Sequence, residues 1–211
     1  MDDTSLKLKH ACFAGDLDEV RRLLDAGANP NATDEHGSGT LLTFHPAIIE
    51  YLLSRGADPN TQTNENGASV LAGLAHVGQT ECVHVLLRAG ADPNRGREAS
   101  GETPLHHTLV TRSQDRAPLV KLLLDHGANP NARTKPGIVS HNYGRDARTR
   151  GETPLHRAAA YSPAETIHLL LAAGADRTIR DVNGDSPFGW ALWHLRDRPI
   201  IDLLKPCDPA A

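Results

Sequence analysis

Histidine, cysteine and acidic side chains are the residues of this sequence that could carry out catalysis or bind a metal. The chain contains 12 histidines, 3 cysteines and 26 acidic residues. His106 and His107 are adjacent, however, and adjacent residues of a helix diverge in direction instead of sharing a ligand. No His-Glu-x-x-His, Cys-x-x-Cys, Gly-x-Ser-x-Gly or glycine-rich phosphate-loop pattern occurs. We therefore expect no catalytic residue, no metal site and no cofactor, and a protein that is not an enzyme.

Charge and cysteine usage indicate the class of protein and its compartment. The 22 basic and 26 acidic residues give a net charge of −4, which disfavours nucleic acid as a partner. Cys12, Cys82 and Cys207 are odd in number and far apart, as is typical of reduced thiols, and the first two are expected in helix packing. Neither a signal sequence nor an apolar run of about 18 residues is present. We expect a cytoplasmic monomer that does not enter a membrane.

A repeated phrase, Leu-Leu-x-x-Gly-Ala-Asp/Asn-Pro-Asn, positions all of these residues. Its copies are Leu23–Asn31, Leu52–Asn60, Leu86–Asn94 and Leu123–Asn131, with a degenerate fifth copy that starts at Leu170. A unit this short cannot bury its apolar face alone, so the copies must stack side by side. Stacking produces a long surface and no single deep cleft, which is typical of a binding protein.

Each unit contains signals for two helices and a tight turn. Thr103-Pro104-Leu105-His106 and Thr153-Pro154-Leu155-His156 predict helix starts, because threonine caps the helix and proline fits its first turn. Ser186-Pro187-Phe188 follows the same logic. Later in each unit a Val/Ile-x-x-Leu-Leu stretch predicts a second helix, which the glycine of the phrase ends. The Asp or Asn two residues further on can bond to its own turn.

The Gly-Ala-Asp-x-Asn turn and the Thr-Pro-Leu-His helix start resemble those of the ankyrin-repeat family. The resemblance covers about residues 5–207. It implies an all-α solenoid of about six helix-turn-helix units with projecting β-hairpin fingers, and a single domain over 1–211. It also implies that His106 and His156 hydrogen-bond between adjacent fingers, and that the chain binds proteins without catalysis. The units are expected at about 5–31, 37–60, 67–94, 101–131, 151–180 and 184–207.

Three departures from the repeat stand out. In the second unit, around Leu41–Pro46, about a turn and a half of the first helix is missing. The fourth unit has extra residues at about 111–116, which predict a longer loop or reflect neutral drift. The largest departure is a long finger insertion at about 133–148, and long loops in compact folds are usually functional or disordered.

The insertion and the last two units supply the candidate binding residues. Residues 132–150 carry five cations and only Asp146 as an acid, a local charge of +4 that favours an acidic partner. Trp190 and Trp193 align with Arg157 and Ala160, positions expected on the concave side, although bulky rings could instead seal the end of the array. The candidate partner-binding residues are Lys135, His141, Tyr143, Arg145, Arg148, Arg150, Tyr161, Trp190 and Trp193.

These patterns favour a non-catalytic scaffold that binds another protein through its concave face and finger loops. An acidic segment is the partner that best fits cations placed near a tyrosine. The alternative is binding of a small ligand or nucleic acid through the basic insertion, and steep salt dependence with generic DNA would support the nucleic-acid reading.

The register of the fifth unit yields a direct stability prediction. If Leu155 points into the core, Leu155→Ala lowers the free energy of unfolding by about 2–5 kcal/mol, because it removes apolar burial and leaves a cavity. Urea unfolding of the variant and the wild type measures the difference. A change near zero would show that the helix register is wrong.

Overall fold

The computed structural model describes residues 3–34, 36–63, 67–110, 116–140 and 148–206. Within these residues the chain is a single stack of helix pairs, except that the second unit contributes one helix. The helices are α1 (Asp3–Ala14), α2 (Leu17–Asp25), α3 (Pro46–Ser54), α4 (Val70–Val77), α5 (Thr80–Arg88), α6 (Pro104–Thr108), α7 (Ala117–Asp125), α8 (Pro154–Tyr161), α9 (Ala164–Ala172), α10 (Pro187–Trp193) and α11 (Arg198–Leu204). The all-α repeat solenoid predicted from the sequence is confirmed.

Leucine, isoleucine, valine and alanine form one continuous core along the stack. Leu155 is fully buried, as the register of the fifth unit requires. Cys12 and Cys82 are buried free thiols in this core, and burial raises the pKa of Cys12 to about 12 and that of Cys82 to about 11. Both cysteines therefore serve helix packing, as expected; Cys207 lies outside the described residues.

The predicted helix starts are formed by capping boxes. Thr103 and Thr153 are the N-caps of α6 and α8, each followed by proline in the first turn. The Nδ1 atoms of His106 and His156 accept hydrogen bonds from the Thr103 and Thr153 backbone N–H groups at 3.2 and 3.1 Å. Ser186 caps α10 in the same way by accepting from the Gly189 N–H. Helix initiation in these units is thus encoded locally.

The last asparagine of each phrase bridges one unit to the next. The Asn94 amide donates to the Gly127 carbonyl at 2.9 Å, and its Oδ1 accepts from the Asn129 N–H at 2.7 Å. Asn31, Asn60 and Asn131 make the same pair of bonds to the turn of the following unit. The preceding Asp or Asn, such as Asn129, accepts from the backbone two residues later and shapes its own turn. The repeated phrase therefore encodes both the turn and the joint between units.

The second unit differs from the expected shortened helix, because none of residues 37–45 is helical. Pro46 already begins α3, so too few residues remain for a hydrogen-bonded helix and its connection. Leu41 fills the core instead, and the Thr43 hydroxyl donates to the Cys12 carbonyl at 2.6 Å. A buried turn thus replaces the first helix of this unit.

The fingers are minimal hairpins joined by single antiparallel bridges. These bridges link Thr33 to Gly39, Gln62 to Ser69 and Val139 to Arg148. The last of them lies in the insertion, where the Gly137 N–H donates to the Thr149 carbonyl at 2.7 Å and the Thr149 N–H to the Ile138 carbonyl at 2.9 Å. Residues 137–140 and 148–150 are therefore the paired arms of a hairpin, which we call the insertion hairpin. The loop at 111–115 lies outside the described residues.

The asparagine bridges predict that the last residue of the repeated phrase stabilises the fold more in some units than in others. Asn94→Ala should lower the free energy of unfolding by about 1 kcal/mol, since it removes two hydrogen bonds between units. Thr178 occupies the asparagine position of the fifth unit, and its hydroxyl bonds only to Asp176 of its own turn. Thr178→Ala is the matched control and should cost less in the same urea titration. An equal loss in both variants would contradict the bridging role.

Candidate partner-binding cleft

A cleft of about 1000 Å³ opens between the insertion hairpin, the last finger and the first helices of the last two units. Its walls combine cationic, acidic and aromatic side chains. The residues that line it are Gly137, Arg148, Thr149, Arg150, Glu152, Tyr161, Val182, Asn183, Asp185, Trp190, Trp193 and His194. The cleft therefore brings together five of the candidate binding residues: Arg148, Arg150, Tyr161, Trp190 and Trp193.

The two tryptophans have different roles in this cleft. Trp190 is only 9% exposed, and its indole N–H donates to the Asp181 carboxylate at 3.1 Å. The Arg150 guanidinium lies 5.9 Å from the Trp190 ring centre, within the range of a cation–π contact. Trp193 is 76% exposed and offers a large ring to a ligand. Trp190 thus forms a fixed wall, and Trp193 is the accessible aromatic.

Tyr161 and two histidines extend the aromatic wall. The Tyr161 and His194 ring centres are 5.0 Å apart in an edge-on arrangement, and those of His156 and Trp190 are 5.5 Å apart. Edge-on packing of this kind adds to the stabilisation from burial. The wall is therefore held by contacts between the last two units.

The basic residues of the insertion that the structure describes do not all lie at the cleft. The Lys135 ammonium donates to the Glu98 carbonyl at 2.6 Å, and Arg133 donates to the Gly151 and Arg180 carbonyls at 3.1 and 2.8 Å. These two cations join neighbouring fingers, so Lys135 lies outside the cleft, contrary to the expectation of a shared surface. His141, Tyr143 and Arg145 lie outside the described residues.

Arg148 and Arg150 are the cations that remain at the cleft. Arg148 donates one N–H to the Gly137 carbonyl at 2.7 Å, which orients its guanidinium on the hairpin. Within the described part of the chain, neither arginine forms an ion pair with a carboxylate. Their remaining N–H groups can therefore receive an anionic ligand.

A fully buried arginine that was expected on the concave surface supports this cleft from behind. Arg157 has no exposed surface, and its Nη2 atom lies 2.7 Å from Glu102 Oε1 and 2.6 Å from Glu152 Oε1. Its Nη1 donates to the His106 carbonyl at 3.1 Å. Arg157 therefore links the fourth and fifth units and does not face a ligand.

Hydroxyl groups extend this network to the insertion hairpin. Ser140 donates to Glu102 at 2.7 Å, and Thr134 donates to Glu152 at 2.7 Å. The Arg150 backbone N–H also donates to Glu152, at 2.6 Å. Glu102 thus holds one end of the hairpin, at Ser140, and Glu152 holds the other end, at Arg150. The repeated Gly-Glu-Thr-Pro-Leu-His, which places a glutamate directly before both capping threonines, is the sequence signal that could have revealed it.

Comparisons with known proteins agree with this architecture. Family models described as ankyrin repeats match residues 41–134, 8–35 and 150–182, which together exceed half of the chain. The chain belongs to the ankyrin-repeat family.

Three ankyrin-repeat relatives illustrate the range of proteins to which the chain is similar. It is 31% identical to the B-cell lymphoma 3 protein homolog of Mus musculus over 89% of this chain and 39% of that protein. It is 28% identical to the NF-kappa-B inhibitor delta of Mus musculus over 67% of this chain and 57% of that protein. It is 28% identical to the E3 ubiquitin-protein ligase KEG of Arabidopsis thaliana over 85% of this chain and 13% of that protein. The chain thus spans well under two thirds of each of these relatives.

Two further observations concern the described residues alone. No group of three or more histidine, cysteine or acidic side chains among them is arranged to hold a metal ion. None of the helices in this part of the chain is long and apolar enough to cross a membrane.

The ankyrin histidines have the structural role that the family resemblance implies. The His106 Nε2 donates to the Glu152 carbonyl at 3.4 Å, and the His156 Nε2 donates to the Asp185 carbonyl at 3.1 Å, since Nδ1 of each ring is already an acceptor. Each ring therefore connects its own unit to the next finger. Burial lowers the pKa of both histidines, and the Arg157 charge lowers that of His106 further.

The buried carboxylates also titrate outside their ordinary range. Burial alone would raise the pKa of Glu102 and of Glu152. The Arg157 charge and hydrogen bonds to both carboxylates, with His107 acting on Glu102 as well, together outweigh burial and lower both pKa values. Both glutamates are therefore ionised in the folded protein.

These pKa shifts predict loss of stability in acid. Below about pH 6.5 the unfolded chain protonates histidines that stay neutral when folded, so the free energy of unfolding falls as pH falls. Below about pH 4.3 Glu102 and Glu152 lower the free energy of unfolding further. Their carboxylates bind protons at a higher pH in the unfolded chain than in the folded protein. Urea titrations should show a decrease of about 2 kcal/mol or more between pH 7 and pH 5. His106→Gln should reduce this slope relative to the wild type, and equal slopes in the two proteins would contradict the assignment.

Proposed function

We propose that this ankyrin-repeat chain is a non-catalytic scaffold that binds an acidic segment of a partner protein in the cleft of its last two units. The observation that carries the proposal is the placement of Arg148 and Arg150 beside the exposed Trp193. Ankyrin repeats and relatives such as the B-cell lymphoma 3 protein homolog and NF-kappa-B inhibitor delta support a protein-interaction role.

The chemistry of the cleft favours a carboxylate ligand. A guanidinium donates several N–H bonds in a planar fork, which matches the geometry of a carboxylate and gives stronger bonds than neutral donors. Arg148 is held by the Gly137 carbonyl and Arg150 by its contact with Trp190, so both are oriented before a ligand arrives. Such preorganisation lowers the entropy lost on binding.

The aromatic wall supplies affinity that does not depend on charge. Tryptophan and tyrosine are enriched among the residues that dominate binding energy at interfaces. Trp193 is exposed next to the half-buried Tyr161, so a partner side chain can bury area against both. In this proposal, the arginines select an acidic segment and the rings stabilise the complex.

Buried hydrogen bonds behind the cleft hold its groups in place, which suits binding. Glu102 holds Ser140 in one arm of the insertion hairpin, and Glu152 holds the Arg150 backbone in the other arm and Thr134 just before the hairpin. A site on a rigid scaffold presents its groups at fixed spacing, as specific recognition requires.

Neutralising the two cleft arginines tests the proposal. R148Q/R150Q should weaken binding of a short fluorescein-labelled peptide of alternating glutamate and serine about tenfold or more, measured by fluorescence anisotropy at low salt. R88Q/R95Q removes the same charge from exposed positions in and just after the third unit and is the matched control. If R148Q/R150Q and the wild type bind the peptide with equal affinity, the peptide does not bind at the cleft arginines and the proposal is wrong. Equal weakening by both variants would show a response to net charge alone.

The size of the cleft makes a small anionic ligand the second candidate. A volume of about 1000 Å³ lies at the upper end of the range for small-molecule sites. Competition between the labelled peptide and a free aromatic carboxylic acid separates the two. Complete displacement at micromolar acid would favour the small ligand, whereas displacement only by unlabelled peptide favours the protein segment.

A further inference from the structure

Large apolar side chains are exposed next to the cleft, in the last unit. Val182, Leu192, Trp193 and Leu195 are all exposed, Leu195 by 91% and Leu192 by 47%. Val182 and Trp193 also line the cleft. We call Leu192, Trp193 and Leu195 the apolar patch. Trp193 belongs to both the cleft and the apolar patch, and Leu192 and Leu195 lie within two residues of it in the chain.

The apolar patch replaces residues that are small and buried in the unit before it. Counted from the capping residues Thr153 and Ser186, Leu192 and Trp193 occupy the positions of Ala159 and Ala160, which have no exposed surface. Alanine allows the first helices of neighbouring units to pack closely. Because leucine and tryptophan are larger than alanine, a helix packed over them would lie further from α10 than α10 lies from α8. The patch therefore fits a ligand that lies over its side chains better than a second copy stacked in the repeat register.

Leu195 has a backbone conformation that does not favour leucine. Its φ is +51°, in the left-handed region, and its N–H donates to the carbonyl three residues earlier, at Leu192. Gly15 and Gly78 end the first helices of their units with the same bond and with φ of +81°. The left-handed region is unfavourable for leucine, because its Cβ crowds the following carbonyl, and the exposed side chain gains nothing by burial within the described chain. Stability alone would favour glycine here, so the leucine side chain serves something other than folding.

The charges of the cleft indicate which kind of partner could cover the cleft and the apolar patch together. Arg148, Arg150 and Trp193 line the cleft, and Leu192 and Leu195 flank Trp193 in the chain at the end of α10. Neither arginine is paired with a carboxylate in the described residues. A purely apolar partner would leave both guanidinium groups without compensation, and a purely acidic one would leave the patch exposed.

We infer that the partner segment carries acidic residues followed or preceded by a large aliphatic or aromatic residue, which covers the apolar patch while the acidic residues bind Arg148 and Arg150. This inference rests on the proposed function, since it uses the same cleft. It adds a second requirement, an apolar anchor beyond the acidic stretch. Burying one such side chain corresponds to about a tenfold gain in affinity or more.

Two labelled peptides test the inference separately from the proposed function. The first is the acidic peptide of alternating glutamate and serine, and the second adds two leucines at one end; versions with leucines at either end cover both directions. The wild type should bind one leucine-bearing peptide at least about tenfold more tightly than the acidic peptide. L192A/L195G should bind the acidic peptide as the wild type does and lose the gain. Phe13→Ala, which removes an apolar side chain that is 69% exposed in the first unit, is the matched control and should keep the gain.

Each other outcome has a defined meaning. If the acidic peptide binds but neither leucine-bearing peptide binds more tightly, the inference fails and the proposed function stands. If no peptide binds, both fail. If L192A/L195G weakens both peptides equally, or if Leu195→Gly lowers the melting temperature, the patch serves folding and the inference is overturned. Sedimentation velocity without peptide addresses a second copy: a dimer that L192A/L195G abolishes would assign the patch to self-association.

Discussion

The ion pairing of Arg157 with two buried carboxylates is the interaction on which the C-terminal half of this protein depends. Glu102 belongs to the fourth unit and Glu152 to the fifth, and both lie within 2.7 Å of the same guanidinium. Burying three charges carries a large desolvation cost, which is offset only when geometry and hydrogen bonds are nearly complete. Here Ser100, Ser140, Thr134 and two backbone groups complete them. Because two of these donors, the Ser140 hydroxyl and the Arg150 N–H, lie in the insertion hairpin, the same network places Arg148 and Arg150 at the cleft.

Bonds between turns join the first five units, including the fourth and fifth, which Arg157 also links. Asn31, Asn60, Asn94 and Asn131 each hold the turn of the following unit. The fifth unit has Thr178 at this position, and Arg177 reaches the Lys205 carbonyl at 3.3 Å instead. Its joint to the last unit therefore relies more on the His156 bond to Asp185 and on the packing of Trp190. The cleft lies at this joint, which lacks the asparagine bridge.

The sequence predicts the repeat architecture well because its signals are local. The capping threonines, the glycine that ends each second helix and the Asx turn all act within a few residues, and the structure contains each of them. In the second unit the sequence predicts a shortened first helix, whereas the structure has no helix there. The short segment is visible in the sequence, but the ability of Leu41 and Thr43 to replace a helix in the core is not.

The cleft could be predicted only in part. Its aromatic residues and two of its arginines stand out by type and position, but their neighbours depend on contacts between distant units. Arg157 was placed on the concave side by alignment with Trp190, although pairing with Glu102, 55 residues away, buries it. Lys135 was grouped with the other cations by sequence proximity, whereas its ammonium binds a carbonyl of the preceding finger. Long-range charge pairing leaves no local pattern to read.

Intrinsic tryptophan fluorescence tests the central claim most directly, because both tryptophans of the chain line the cleft. In a Trp190→Phe background the emission reports on Trp193 alone, which is exposed in the free protein. Titration with a partner segment whose binding is established by anisotropy should shift this emission to shorter wavelength, with the same dissociation constant. Binding with no change in Trp193 emission would place the partner elsewhere on the solenoid and contradict the account.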